Sequence, residues 1–270
     1  MYHTQDMAFR SLQHRRSENQ DRCFSMSCDG MPDLREKMSI LAVLDGVSSS
    51  NGGRAAHMAS QAMRPVLAEL LGKSGELLTL DDESRRSEIH QYLCTAVREA
   101  DRCLRREQTG ELECGTTITL AVLFGEAVYA ANVGDSPAYL LRISMNGTVG
   151  QLQPLFECHN MAGAAVRRGL MTKEEALTHQ SRNALMRMVG GSGIVRDDIH
   201  TTFTWLSQSD VLLLGSDGAL SVVTEEKLVQ LVNENLCSGL TDFIDELYET
   251  VRESDSRDNF TVLAQWVKSD

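Results

Sequence analysis

Proline is scarce, with four in 270 residues, and no Pro/Ser/Gly-rich stretch divides the chain. Internal repeats are absent too. The chain therefore reads as a single domain over 1–270, long enough to bury a sizeable core. No run of 18 apolar residues occurs. The longest candidate, Thr119 to Ala131, is interrupted by Gly125 and Glu126, which excludes a membrane-spanning helix. The opening residues MYHTQDMAFRSLQHRR contain no apolar leader core, so no signal peptide is expected. Basic residues are outnumbered, 26 against 38 acidic ones, for a formal net charge of −12. Such a mean field repels phosphate and argues against nucleic acid or an anionic membrane as partner. The seven cysteines are odd in number and include no C-x-x-C pair. Reduced thiols in a cytoplasmic monomer are expected, rather than a disulfide framework or a zinc site.

The periodicities that are present fall into groups. Ile40 to Leu44 is an apolar run closing on Asp45-Gly46, and reads as a buried strand. Gly53 to Leu71 has helical character. Ile89, Leu93, Ala96, Val97, Ala100 and Leu104 trace one helical stripe, with a polar loop from Gly72 to Ser87 between the two helices. Thr116–Phe124, Ala127–Asn132 and Ala138–Ile143 read as a three-stranded meander, its first turn at Gly125-Glu126. A helical patch at Ala162–Gly169 follows, then a helix opened by Thr172, with Glu175 completing a capping box. Strands at Thr201–Trp205 and Val211–Gly215, two helices and a last strand at Phe260–Val267 complete the chain. Strands and helices are grouped rather than alternating, which points to α+β.

Five aspartates stand at strand ends or turns. Asp45 ends a strand before Gly46, and Asp135 lies in Asn132-Val-Gly-Asp-Ser. Asp217 follows Gly215-Ser216, Asp258 opens the last strand, and Asp21 closes Asn19-Gln20-Asp21. One Asp-Gly pair is an ordinary turn former. Five such acids at strand ends and turns are a donor set suited to Mg²⁺ or Mn²⁺, because carboxylate and carbonyl oxygens bind hard cations and glycine permits close approach. Other chemistries fail on spacing. No cysteine opens a C-x₅-R loop, Leu214 stands where a serine-hydrolase elbow needs glycine, and Gly190-Gly-Ser-Gly193 lacks the lysine of a P-loop.

The motifs RSENQD (Arg16–Asp21), LAVLDG (Leu41–Gly46), CGTT (Cys114–Thr117), ANVGDSPAY (Ala131–Tyr139), LLLGSDGAL (Leu212–Leu220) and RDNFTV (Arg257–Val262) occur in that order. Together they resemble the metal-dependent protein phosphatases of type 2C, from about Arg10 to Val267. The stretch from His159 to Gly190 resembles the bacterial branch, where it forms a flap (here about 155–195) beside the active site. The resemblance implies a central sandwich of two antiparallel sheets with helix pairs outside, a four-layer α-β-β-α order. It implies hydrolysis of phosphoserine and phosphothreonine on proteins by a metal-bridging hydroxide, in signal transduction. Two ions, Mn²⁺ or Mg²⁺, are implied, with Asp45 bridging them and the Gly46 carbonyl on one. Asp217 and Asp258 would hold one metal and Asp21 would join the site. Asp135 matches a position that, with Asp217, binds a third ion in bacterial members. Arg16 would clamp the phosphate, because its fork matches two phosphate oxygens. Substrates would be proteins marked by a Ser/Thr kinase.

The chain departs from the pattern at three places. Val47 replaces a histidine that some members carry as proton donor. Ser48-Ser49-Ser50-Asn51 intervenes before Gly52-Gly53, and Pro137 stands where arginine is usual. His179 lies near where bacterial members place a histidine. Two rival readings share the fold: a phosphoprotein-binding module with weak or dead chemistry, and a regulator phosphatase serving one substrate.

Overall fold

The structure is a computed structural model that describes residues 2–28, 37–47, 51–107, 114–144, 147–157, 160–172, 175–176, 179–181, 184–191, 194, 198–207 and 209–269. Two five-stranded antiparallel sheets form its centre. In spatial order the first holds β1 (Tyr2–Leu12), β12 (Phe260–Ser269), β11 (Val211–Gly215), β7 (Ala138–Ile143) and β8 (Val149–Pro154). The second holds β10 (His200–Trp205), β6 (Ala127–Val133), β5 (Ile118–Phe124), β3 (Met38–Leu44) and β2 (Arg22–Cys28). A two-residue pair, β4 (Gly115–Thr116) and β9 (Val189–Gly190), lies apart. Helices α1 (Gly52–Gly72) and α3 (Asp82–Glu107), joined through the short α2 (Ser74–Leu77), pack on the second sheet. The flap segment carries α4 (Met161–Arg167), and α5 (Asp217–Leu220) follows β11. Helices α6 (Glu225–Asn235) and α7 (Leu240–Glu253) pack on the first sheet. The layers are therefore α-β-β-α, as the resemblance implies.

Strand alternation explains why the central strands are buried at every position and almost wholly apolar. Ile40, Ala42 and Leu44 of β3 face α1 and α3, while Leu41 and Val43 enter the core between the sheets. On β11, Val211 and Leu213 face α6 and α7, and Leu212 and Leu214 face the other sheet. A strand buried on both faces loses the polar half of its alternation. The helices keep theirs. All six residues of the Ile89–Leu104 stripe are buried.

The structure corrects three readings. The supposed loop from Gly72 to Ser87 contains α2 and the first turn of α3, which Asp81 caps by accepting from the Ser84 N–H at 2.9 Å. Thr116–Phe124 is two strands, β4 and β5, because Thr117 turns aside to bond the Asp45 region. The three-stranded meander is a hairpin, β5–β6, followed by a departure. Phe124 faces Ala127 across Gly125 (φ 60°), but β7 joins the other sheet beside β11. The crossing passes through Gly134 (φ 113°) and Pro137, whose carbonyl accepts from Gly215 N–H at 3.1 Å. Pro137 has no N–H to give, yet its carbonyl keeps the pairing with β11.

Candidate active site

The acids converge where the strands of both sheets end. Asp45 closes β3, and its backbone is tied on both sides. Its N–H donates to Thr117 Oγ1 at 3.0 Å, and its carbonyl accepts from Thr117 N–H at 2.8 Å and Thr116 Oγ1 at 2.9 Å. Gly46 lies so near the start of α1 that a Cβ there would stand 2.3 Å from the Gly52 carbonyl oxygen. Only glycine permits that approach. Asp217 opens α5, and Asp258 precedes β12. The two turns touch at Gly218, where a Cβ would stand 2.2 Å from the Asn259 carbonyl oxygen. Asp21 is buried just before β2, and its N–H bonds Asn19 Oδ1 at 3.1 Å. Asp135 is buried in the crossover between β6 and β7. Its Oδ2 accepts from Asn160 Nδ2 at 3.3 Å, while Asn160 Oδ1 caps α4 through Gly163 N–H at 2.8 Å.

These carboxyls feel one another. Asp45 is raised well above the usual carboxylate range, first by burial and then by the charges of Asp21, Asp217 and Asp258. It lies within hydrogen-bonding reach of Asp217. Burial pushes Asp21 up to about 6, and Asp217 and Asp258 add to the shift. Asp135 is pushed up to about 7 by burial and by Asp217, against the pull of Asn160. The Ser216 and Thr261 hydroxyls lie close enough to favour the Asp21 charge, yet both Asp21 oxygens are buried without a hydrogen-bond partner.

A divalent cation fits this donor set. The donors are all oxygens, as a hard cation requires, and an orphaned buried carboxylate needs a positive partner. Among the described residues no three His, Cys, Asp or Glu side chains form a closed ligand group as they stand. A cation would have to draw the carboxylates closer together.

Arg16 is at the same place. Its Nε and Nη2 donate to Asp258 Oδ1 and Oδ2 at 3.0 and 2.7 Å, a two-pronged pair. The Arg16 fork is thus directed at one of the acids rather than left open. The loop that carries it is fixed by a residue that sequence reasoning did not single out. Asn259 accepts from Gln20 N–H at 2.9 Å and donates to the carbonyls of Gln13 and Glu18, each at 2.9 Å. His14 adds an anchor, with φ 51° and its Nε2 2.9 Å from the Ser256 carbonyl oxygen. Asn259 is in a quoted motif beside Asp258, and that adjacency was its only signal. Thr117 closes the CGTT motif, but nothing in the pattern marked His14 or Asn160; the roles of all three depend on contacts distant in sequence.

Other expectations land elsewhere. The Thr172–Glu175 capping box forms reciprocally, with bonds of 2.8 and 3.2 Å. His179 is exposed and bonds Ser181 Oγ at 2.6 Å; it lines a separate depression with Leu170 and Met171. His159 and the Ser48–Ser50 insertion lie outside the described residues. A cleft of about 610 Å³ opens from Arg16, Asp217 and Asp258 and runs beneath α4.

The sequence profile of the protein phosphatase 2C family matches residues 10–267, so the chain belongs to that family. A serine/threonine phosphatase stp of Listeria innocua is 28% identical over 237 residues, which is 87% of this chain and 86% of that one. The fold is similar to the crystal structure of serine/threonine phosphatase Stp1 from Staphylococcus aureus. There the TM-score is 0.80 at 22% identity, covering 98% of this chain and 95% of the other. It is similar as well to the catalytic domain of the phosphatase PstP in complex with two manganese ions. That match has a TM-score of 0.72 at 23% identity and covers 98% of each chain.

Proposed function

We propose that this chain removes phosphate from phosphoserine and phosphothreonine on proteins, with Mn²⁺ or Mg²⁺ held by the aspartate cluster. The observation that carries the reading is the cluster itself. Acids from five separate turns gather at one end of the two sheets, and one of them, Asp21, has both oxygens buried without a partner. Family membership supports the reaction class, and the manganese ions of the PstP structure support the cofactor.

Asp45, the Gly46 carbonyl, Asp217 and Asp258 would hold two ions, with Asp21 completing the site and Asp135 available to a third. When bound, such ions offset the carboxylate charge, lower the pKa of water and shield the phosphoryl oxygens. The chain's own residues do the rest. The Thr116 and Thr117 bonds fix the Asp45 backbone, so its carboxylate needs little reorganisation during reaction. Arg16 binds the phosphate through its fork, which the substrate's oxygens take over from Asp258. Asn259 holds the Arg16 loop in register with Asp258. Val47 offers no proton, so the leaving hydroxyl takes its proton from water in the cleft. The substrates are the products of a Ser/Thr kinase, and the chain acts in the cytoplasm as a monomer.

The test is phosphate release from a phosphothreonine peptide. Release in Mn²⁺ that is lost in EDTA and in Asp217→Asn supports the reading. No release from folded protein in Mn²⁺ or Mg²⁺ overturns it in favour of a phosphoprotein-binding module.

A further inference from the structure

The cleft that begins at Arg16, Asp217 and Asp258 extends well past the acids. Its volume, about 610 Å³, is that of a pocket able to enclose a ligand rather than one phosphate group. The outer half runs between α4 of the flap and the segment joining α5 to α6. Its floor is apolar, formed by Phe156, Val166, Leu220 and Val222. Its rim is acidic. Glu157, Glu226 and Asp255 are exposed there, and Glu225 stands beside Glu226. Glu225 and Glu226 open α6, where the helix dipole favours their charge. Among the described residues six acids line the cleft with two cations, Arg16 and Arg257, and Arg16 is engaged by Asp258. Two divalent cations at the inner end would offset Asp217 and Asp258 there. The outer rim would remain negative, lined by four acids and Arg257 among the described residues.

We propose that the outer half of the cleft selects substrates by sequence. It takes the polypeptide flanking the phosphorylated residue, with an apolar side chain on the floor and a Lys or Arg against the Glu226 and Asp255 rim. This rests on the phosphatase reading and names the substrate class for it. Charge complementarity identifies the occupant. A cationic flank is attracted to this rim, whereas an acidic flank meets like charge at short range. Continuity with the catalytic acids requires that the flank and the phosphoresidue belong to one chain.

The probes are fluorescent peptides of one length with a central phosphonate analogue of phosphothreonine, whose ester oxygen is replaced by CH₂ so that it cannot be cleaved. Their flanks are Leu with Arg, Leu with Glu, or Ser with Gly. Binding is followed by anisotropy in Mn²⁺, at low and high salt, with wild type and with the double variant Glu226→Lys/Asp255→Lys. Both positions are exposed, so neither lysine enters the core. Wild type is expected to bind the Leu/Arg peptide about tenfold tighter than the Leu/Glu peptide, with the gap narrowing in high salt. The double variant is expected to reverse that order. Equal binding of all three peptides by wild type, or an unchanged order in the variant, overturns the proposal. Cleavage of the matching phosphothreonine peptides separates the two readings. Cleavage without flank preference removes the specificity site and leaves the phosphatase. Flank-dependent binding without any cleavage removes the phosphatase and leaves the site.

Discussion

Replacing Asp21 by asparagine should change the stability of this protein in opposite directions with and without metal. Asp21 is 2% exposed, and both its oxygens lack a hydrogen-bond partner. Burial is the main cause that lifts it from 3.8 to about 6, with Asp217 and Asp258 contributing. A carboxyl whose folded-state pKa is raised favours the protonated folded state. The folded protein then holds more protons than the unfolded chain between about pH 4 and pH 6, so stability falls as pH rises through that window. Asp135, raised to about 7, extends the same fall towards neutrality. At ~1.4 kcal/mol per pH unit, the Asp21 rise is worth about 3 kcal/mol at pH 7.5. Its neighbours share part of that, so removing one charge should return about 2 kcal/mol. For a chain of this length that is a rise in Tm of about 4 °C. The asparagine amide can donate to the Ser216 and Thr261 hydroxyls, so the substitution leaves no new unpaired group. In saturating Mn²⁺ the sign should invert, because the variant binds the ions more weakly and loses their stabilisation. The assay is thermal unfolding at pH 5 and 7.5, in EDTA and in Mn²⁺. A variant that melts below wild type in EDTA at pH 7.5 would refute the claim that Asp21 is a strained, uncompensated charge. Wild type that is as stable at pH 7.5 as at pH 5 in EDTA would count equally against it.

Two further substitutions probe how the site is held. Asn259→Ala removes the bonds to Gln20, Gln13 and Glu18, and should cost about 3 kcal/mol in urea unfolding. It should also lower kcat/KM for phosphate release more than tenfold by freeing the Arg16 loop; unchanged kinetics would show that the loop needs no clamp. Gly218→Ala drives a Cβ to 2.2 Å from the Asn259 carbonyl oxygen and should separate the Asp217 and Asp258 turns. A loss of about 2 kcal/mol is expected, with weaker Mn²⁺ binding by calorimetry, and wild-type affinity would contradict it.

How much of this could be read from the chain depended on whether a signal was local. The both-face-apolar strands β3, β5 and β11 stand out as runs, and β7 and β11 have the boundaries expected. Three of the four edge strands of the two large sheets, β1, β2 and β8, were invisible, while the fourth, β10, was read at Thr201–Trp205. The β8 sequence VGQLQP is mostly exposed, and β2 mixes Arg22, Ser25 and Ser27 with its apolar residues. Half-solvated edges dilute the period-two signal. The departure of β7 to the other sheet is decided by the Gly134 conformation and the Pro137–Gly215 bond, neither of which sequence spacing encodes. At the site, the acids were legible because each stands at a strand end or a turn. The Arg16–Asp258 pair was not, because it joins residues 242 positions apart.

Diffraction from crystals soaked in Mn²⁺, with anomalous differences recorded at the manganese edge, tests the central claim most directly. Two peaks are expected around the Asp45 carboxylate, one shared with Asp217 and Asp258, with the Arg16 fork turned away from Asp258. Peaks confined to other carboxylates, or none beside Asp45 in crystals that bind manganese elsewhere, would contradict it.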